Sequence, residues 1–173
     1  MLKSLLALSF VLVSAPMALS QSKSVYTSLA ADKCKTVSLN AGMAGNATTR
    51  CDGVGGYKLE FYLDDGRNSI GVVLPSEKTA GLDLWDHFSN FSELGETAEW
   101  RIKGKKPVAL IVRLKVSDKG DEGSPSSYLI VSKLNRTTAC VTDIVKPGKG
   151  QNAKAQGLAD RALSRPCKKA GRH

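Results

Sequence analysis

Histidine is almost absent from this chain: His87 and the terminal His173 are the two in 173 residues. Any imidazole chemistry therefore rests on His87 alone. No C-x-x-C pair occurs either, so the ligand set of a structural zinc site is missing. There is no G-x-S-x-G turn to present a serine nucleophile. The one glycine-rich segment, Cys51-Asp-Gly-Val-Gly-Gly-Tyr57, lacks the Lys-Ser/Thr of a phosphate-binding loop and opens into a strand. Asp64-Asp65-Gly66-Arg67-Asn68 has oxygen ligands but no spaced acidic terminus of a calcium loop. No metal, cofactor or assigned catalytic residue is expected. Aromatic residues make up only 6% and are not interleaved with basic ones as in RNA-binding sheets, which argues against nucleic acid.

Long apolar runs are also missing. The best, Leu5 to Val13, is interrupted by Ser9 and falls well short of the roughly 20 residues a membrane helix needs. No transmembrane segment is expected. The run follows Lys3 and precedes Ala18-Leu19-Ser20, a small-residue site that signal peptidases accept before Gln21. Residues 1–20 thus read as a signal peptide, and 21–173 as a single secreted, disulfide-containing β-rich domain. No cysteine stands at the cleavage point, which argues against a lipid anchor.

Four cysteines are present, Cys34, Cys51, Cys140 and Cys167. An even number in an exported chain reads as two disulfides. Three connectivities are open, and local pairing, Cys34–Cys51 with Cys140–Cys167, is preferred because each pair flanks its own segment. The formal charge is +9, or +8 without Lys3, which favours anionic partners. Lys103, Lys105 and Lys106 form one cluster, Lys146 and Lys149 another, and the C-terminal end is basic.

The period-2 pattern dominates the middle of the chain. Strands are expected at 35–39 and 47–51, with a turn over Asn40–Gly45. Tyr57, Leu59, Phe61 and Leu63 alternate with Lys58, Glu60 and Tyr62. Asp65-Gly66 then signals a tight hairpin, returning through Ile70, Val72 and Leu74 to a stop at Pro75. Leu84, Phe88 and Phe91 fit one face of a short helix near 83–90. Further strands are expected at 97–103, 107–117, 127–134 and 139–145. After Pro147-Gly148 the period changes: Ala155, Leu158, Ala159 and Ala162 predict a helix over 152–165, with Asn152 as its N-cap. The fold class is mainly β (α+β), a curled antiparallel sheet or sandwich of six to eight strands with a C-terminal helix packed on it.

Gly55-Gly56-Tyr57, Phe91-Ser92-x-Leu94-Gly95, Glu99-Trp100-Arg101 and Ala109-Leu110-Ile111-Val112-Arg113 resemble segments of a family of uncharacterised exported bacterial proteins. The cysteine positions and the Asn152-Ala153 helix start do so too, over about residues 24–167. The resemblance implies a bacterial origin and carries no catalytic residues. On that footing the N-x-S/T sequons at Asn46, Asn90 and Asn135 are read as chance.

Trp100, Arg101, Lys103, Arg113 and Lys115 are the candidate binding residues. If 97–103 pairs with 107–117, the four cations line one sheet face, with Trp100 as a neighbouring aromatic. The leading expectation is an exported, periplasmic, non-enzymatic binding or inhibitor-like module. Its basic surface would take an anionic protein, a glycan or the envelope surface. The alternatives are a small hydrolase of envelope polymers, using His87 with Asp83 or a carboxylate pair, or a structural envelope component.

Overall fold

The computed structural model describes residues 22–39, 47–117 and 123–169. The expected signal peptide and the Asn40–Gly45 turn lie outside these residues. All ten described strands belong to one hydrogen-bonded sheet. They are β1 (Lys23–Ser28), β2 (Cys34–Leu39), β3 (Ala47–Asp52), β4 (Lys58–Asp64), β5 (Arg67–Val73) and β6 (Thr79–Gly81), followed by β7 (Ser92–Lys103), β8 (Lys106–Val116), β9 (Ser126–Leu134) and β10 (Ala139–Val145). The order is β10-β9-β8-β7-β5-β4-β3-β2, with β1 beside β7 and β6 beside β5.

The mainly β fold with a C-terminal helix is therefore present, with ten strands where six to eight were expected. The additional strands are β1 and the three-residue β6, which lack a strong alternating pattern. Pairing is antiparallel except between β5 and β7, where Arg67 and Ser92 form a single parallel bridge. On that side of β7, β5 meets the start of the strand and β1 pairs with residues 97–102. A bulge makes this possible. Leu94 opposes Leu114 and Ala98 opposes Val112, so three residues of β7 face Arg113 alone.

Turn chemistry follows the sequence closely. Asp65 and Gly66 both adopt left-handed φ, 49° and 68°, as a two-residue hairpin of this type requires. Asn135 closes the β9–β10 turn, its Oδ1 accepting from the amides of Thr137 and Thr138 at 2.9 and 2.8 Å.

Both disulfides of the local pairing are formed. Cys34 lies directly opposite Cys51 in the β2–β3 register. Cys140 of β10 holds Cys167, and the Lys168 amide donates to the Val141 carbonyl at 2.7 Å. Each link restricts the unfolded chain by roughly 3 kcal/mol.

Alternation along β8 divides the interior in two. Leu110, Val112, Leu114 and Val116 join Trp100, Ile130, Leu59, Ile70 and Val72 in the main core. Ala109 and Ile111 point the other way, with Leu129 and Val131, and are covered by Ala155, Ala159 and Ala162. The small alanines bring the helix close to the sheet.

Two helix predictions need correction. Over 83–90 there is only a 3₁₀ turn, Leu84–Asp86. Asp83 has a left-handed φ of 49°, and the Leu84 amide is taken by Ser69 Oγ at 3.2 Å, so β5 holds the segment in place. The apolar spacing arises because Leu84 and Phe88 both contribute to the main core. At the C-terminus, α1 spans Gln151–Ala159 and a separate 3₁₀ turn spans Ala162–Ser164. Gly150, with φ 73°, stands at the N-cap. Asn152 lies within the helix, where its Oδ1 accepts from Arg113.

Candidate binding surface

β7 and β8 pair as expected, and Arg101, Lys103, Arg113 and Lys115 alternate onto the face opposite the main core. The cations on this face are interleaved with acids and largely committed within the chain. Arg101 is only 8% exposed. Its Nε and Nη2 donate to the two carboxylate oxygens of Asp160 at 2.8 and 2.9 Å. The same guanidinium donates to Ser24 Oγ at 2.5 Å and to the Ser22 carbonyl at 3.2 Å, with Glu99 Oε1 at 3.7 Å.

Arg113 donates to Ser127 Oγ, Gln151 Oε1 and Asn152 Oδ1 at 2.6, 3.1 and 3.0 Å. Lys115 pairs with Glu93 at 3.5 Å on the surface. Lys103 is exposed and has no ion pair among the described residues. Trp100 is fully buried on the other face, its Nε1 donating to Thr27 Oγ1 at 2.8 Å. The two arginines thus fasten α1 to the sheet, and Trp100 shares no surface with them.

A groove of about 240 Å³ remains between α1 and the β7 bulge, lined by Tyr26, Glu96, Glu99 and Arg113 among others. Its charge is mixed. Glu99 is itself engaged, accepting from Gln156 Nε2 at 2.8 Å and from Ser24.

A compact group of exposed cations, without ion pairs among the described residues, lies elsewhere. The β7–β8 turn carries Lys103, Lys105 and Lys106, and the β9–β10 turn carries Arg136, all exposed. Antiparallel pairing of β8 with β9 brings both turns to one end of the sheet. Lys105, Lys106 and Arg136 line a hollow of about 350 Å³ there, together with Tyr57, Pro75, Pro107, Leu134 and Leu163. No acid lines this hollow among the described residues. Gly55 stands at its edge with φ 66°, and a Cβ there would lie 2.9 Å from Pro107 Cγ. Only glycine lets the loop before β4 approach Pro107 so closely.

His87 does not line this hollow. It lines a smaller hollow of about 200 Å³ with Asp83, Asp86, Lys168 and the Cys140–Cys167 bridge. Burial first, then the charge of Lys168, pushes its pKa below the usual 6.5 against the pull of Asp86 and Asp83. Ser89, on an adjoining hollow, directs its hydroxyl to Asn90 Oδ1 at 3.4 Å.

One polar cluster escaped the sequence reading. Glu60 alternates away from Leu59 yet is only 7% exposed. Its carboxylate accepts from Arg50 Nε at 3.0 Å and also from Arg50 Nη2. Tyr62 Oη at 2.7 Å and Thr79 Oγ1 at 3.0 Å complete the cluster. Arg50 and Glu60 are direct cross-strand partners, which was the available signal once β3 was known to pair with β4.

Comparison with models of protein families, with curated proteins and with solved structures finds no match to this chain. The functional reading therefore rests on the surface itself.

Proposed function

We propose that this chain is an exported, non-enzymatic binding module whose anionic partner docks on the basic end of the sheet. The observation that carries the reading is the contrast between two sets of cations. Arg50, Arg101, Arg113 and Arg165 are committed to partners inside the chain. Lys103, Lys105, Lys106 and Arg136 crowd one end with no ion pair among the described residues. Like charges held together this way repel one another, and an anionic partner relieves that cost.

Two disulfides fit an oxidising compartment. With residues 1–20 read as a signal cleaved near Ser20, the site of action is the periplasm or the exterior. The bacterial resemblance agrees with that placement. Anionic proteins, glycans and the envelope surface are the partner classes in reach.

The test is capture from envelope and secreted fractions with the oxidised exported protein, followed by a salt gradient. A stoichiometric partner lost on Lys103→Glu/Lys105→Glu/Lys106→Glu is the expected result. Capture that is unchanged by this reversal would overturn the assignment of the basic end.

A further inference from the structure

We infer that the hollow over Tyr57 is a binding site for a small amphiphilic anion, a carboxylate head on an apolar chain. The inference rests on reading the basic end as an anion-docking surface, and it names a ligand for the hollow within that surface.

The hollow has about 350 Å³, which falls within the range of small-molecule sites. Its lining divides by chemistry. Pro75, Pro107, Leu134 and Leu163 offer apolar contact, while Lys105, Lys106 and Arg136 supply positive charge. Leu163 is 53% exposed, an apolar side chain left open beside the cations. The absence of any acid from the lining among the described residues selects an anion over a cation. Arginine favours a carboxylate because its planar fork matches the two oxygens.

Tyr57 adds a directional group. Its side chain is 5% exposed and packs against Trp100 with ring centroids 6.2 Å apart. No hydrogen bond is made by its hydroxyl among the described residues. That hydroxyl is nevertheless not sealed in, because Ser132 Oγ is the buried polar side-chain atom left without a partner there. The hydroxyl is thus open to the hollow and available as a donor to a bound group. Burial raises the Tyr57 pKa, opposed by the charge of Arg136, so the group is a neutral O–H donor at physiological pH. A carboxylate seated between Arg136 and Tyr57 would accept from both, with its chain laid over Pro107, Leu134 and Leu163.

Calorimetric titration of the oxidised protein with dodecanoate, below its micelle concentration, tests the inference. Saturable one-to-one binding is expected, with none for dodecyltrimethylammonium, which has the same chain and the opposite charge, or for acetate, the head alone. Arg136→Ala and Tyr57→Phe should each weaken dodecanoate about tenfold, the effect of removing one charge-assisted hydrogen bond. Leu163→Asp changes an exposed residue and should abolish binding while leaving the melting temperature in place. No saturable binding, equal binding of the cationic amphiphile, or an affinity unmoved by all three substitutions would overturn the inference.

Retention on a sulfated-polymer column separates this failure from that of the broader reading. If dodecanoate fails but Lys103→Glu/Lys105→Glu/Lys106→Glu sharply reduces retention, the hollow is eliminated and the docking surface stands. If retention is also insensitive to that reversal, both fall.

Discussion

Arg101 and Asp160 form a two-pronged ion pair that joins the C-terminal part of β7 to the residue closing α1, with Nε–Oδ1 at 2.8 Å and Nη2–Oδ2 at 2.9 Å. Three elements meet at this guanidinium, since it also reaches Ser24 of β1 and Ser22 just before it, and lies near Glu99 of β7 itself. Asp160→Ala leaves a nearly buried cation short of its main partner. The side chain of Asp160 is about a third exposed, which reduces the loss to roughly 2 kcal/mol from the larger values of fully buried pairs. Denaturant titration should register that loss. Arg101→Glu would face Glu99 and Asp160 together, and is expected to unfold the helix end before it can report on binding.

Gly53 faces Trp100 at a distance that admits no side chain. A Cβ there would stand 2.6 Å from Trp100 Cζ2 and 2.6 Å from the Tyr57 carbonyl. The backbone atom cannot yield, and Trp100 is fully buried among the core residues. Gly53→Ala should destabilise by about 2 kcal/mol through overpacking. It should also perturb the near-ultraviolet dichroism of Trp100, whereas Gly104→Ala, at a turn position with open space, should leave that signal unchanged.

Glu60 should give the protein an acid-sensitive step. Burial alone would raise its pKa, but hydrogen bonds from Arg50, Tyr62 and Thr79 outweigh burial and lower it. The folded chain therefore takes up this proton less readily than the unfolded chain. The stabilisation is complete above the ordinary carboxylate value of about 4.3 and fades as pH falls through the lower folded value. Glu60→Gln should flatten the fall of melting temperature below pH 4.5 while lowering the plateau at neutral pH. An unchanged acid limb would show that Glu60 is not the group responsible.

His87 is expected to titrate below 6.5, the direction set by burial and by Lys168. Its imidazole is thus neutral at physiological pH, and its protonation accompanies a loss of stability as pH falls from the ordinary value through the folded one. Ring-proton chemical shifts across pH 4 to 8 give the midpoint. Lys168→Ala should move it upward while leaving the larger burial effect in place.

Much of the sheet was legible because alternation is a local property. Leu110, Val112 and Leu114 declare one face and Ala109 and Ile111 the other, whatever lies above them. Asp65-Gly66 fixes its hairpin for an equally local reason, the left-handed φ of both residues. The cationic face of β7 and β8 was placed correctly by the same rule. What covers it was not visible, since Asp160 lies 59 residues beyond Arg101 and nothing in either segment announces the other. Arg136 likewise joins the Lys103–Lys106 cluster only after β8 and β9 pair. The 83–90 segment misled because 3.6-residue spacing describes any backbone that returns Leu84 and Phe88 to one core. Its Leu84 amide and Trp85 indole donate to Ser69 and Arg67 of β5, ties that a hydrophobic pattern does not record.

The seam between β5 and β7 bears on how this chain assembles. Apart from the addition of β1, every long ladder on either side of that seam joins strands that follow one another in sequence: β2 with β3, β3 with β4, β4 with β5, then β7 with β8, β8 with β9 and β9 with β10. Each half can therefore zip from its own hairpins at small entropic cost. What holds the halves edge to edge is brief: Arg67 beside Ser92, with Asn68 donating its side-chain amide to the Ser92 carbonyl at 2.6 Å and its backbone amide to Ser92 Oγ at 3.1 Å. Closure of this seam is expected late in folding, so that in stopped-flow kinetics substitutions at Asn68 or Ser92 should quicken unfolding while leaving the folding rate almost untouched.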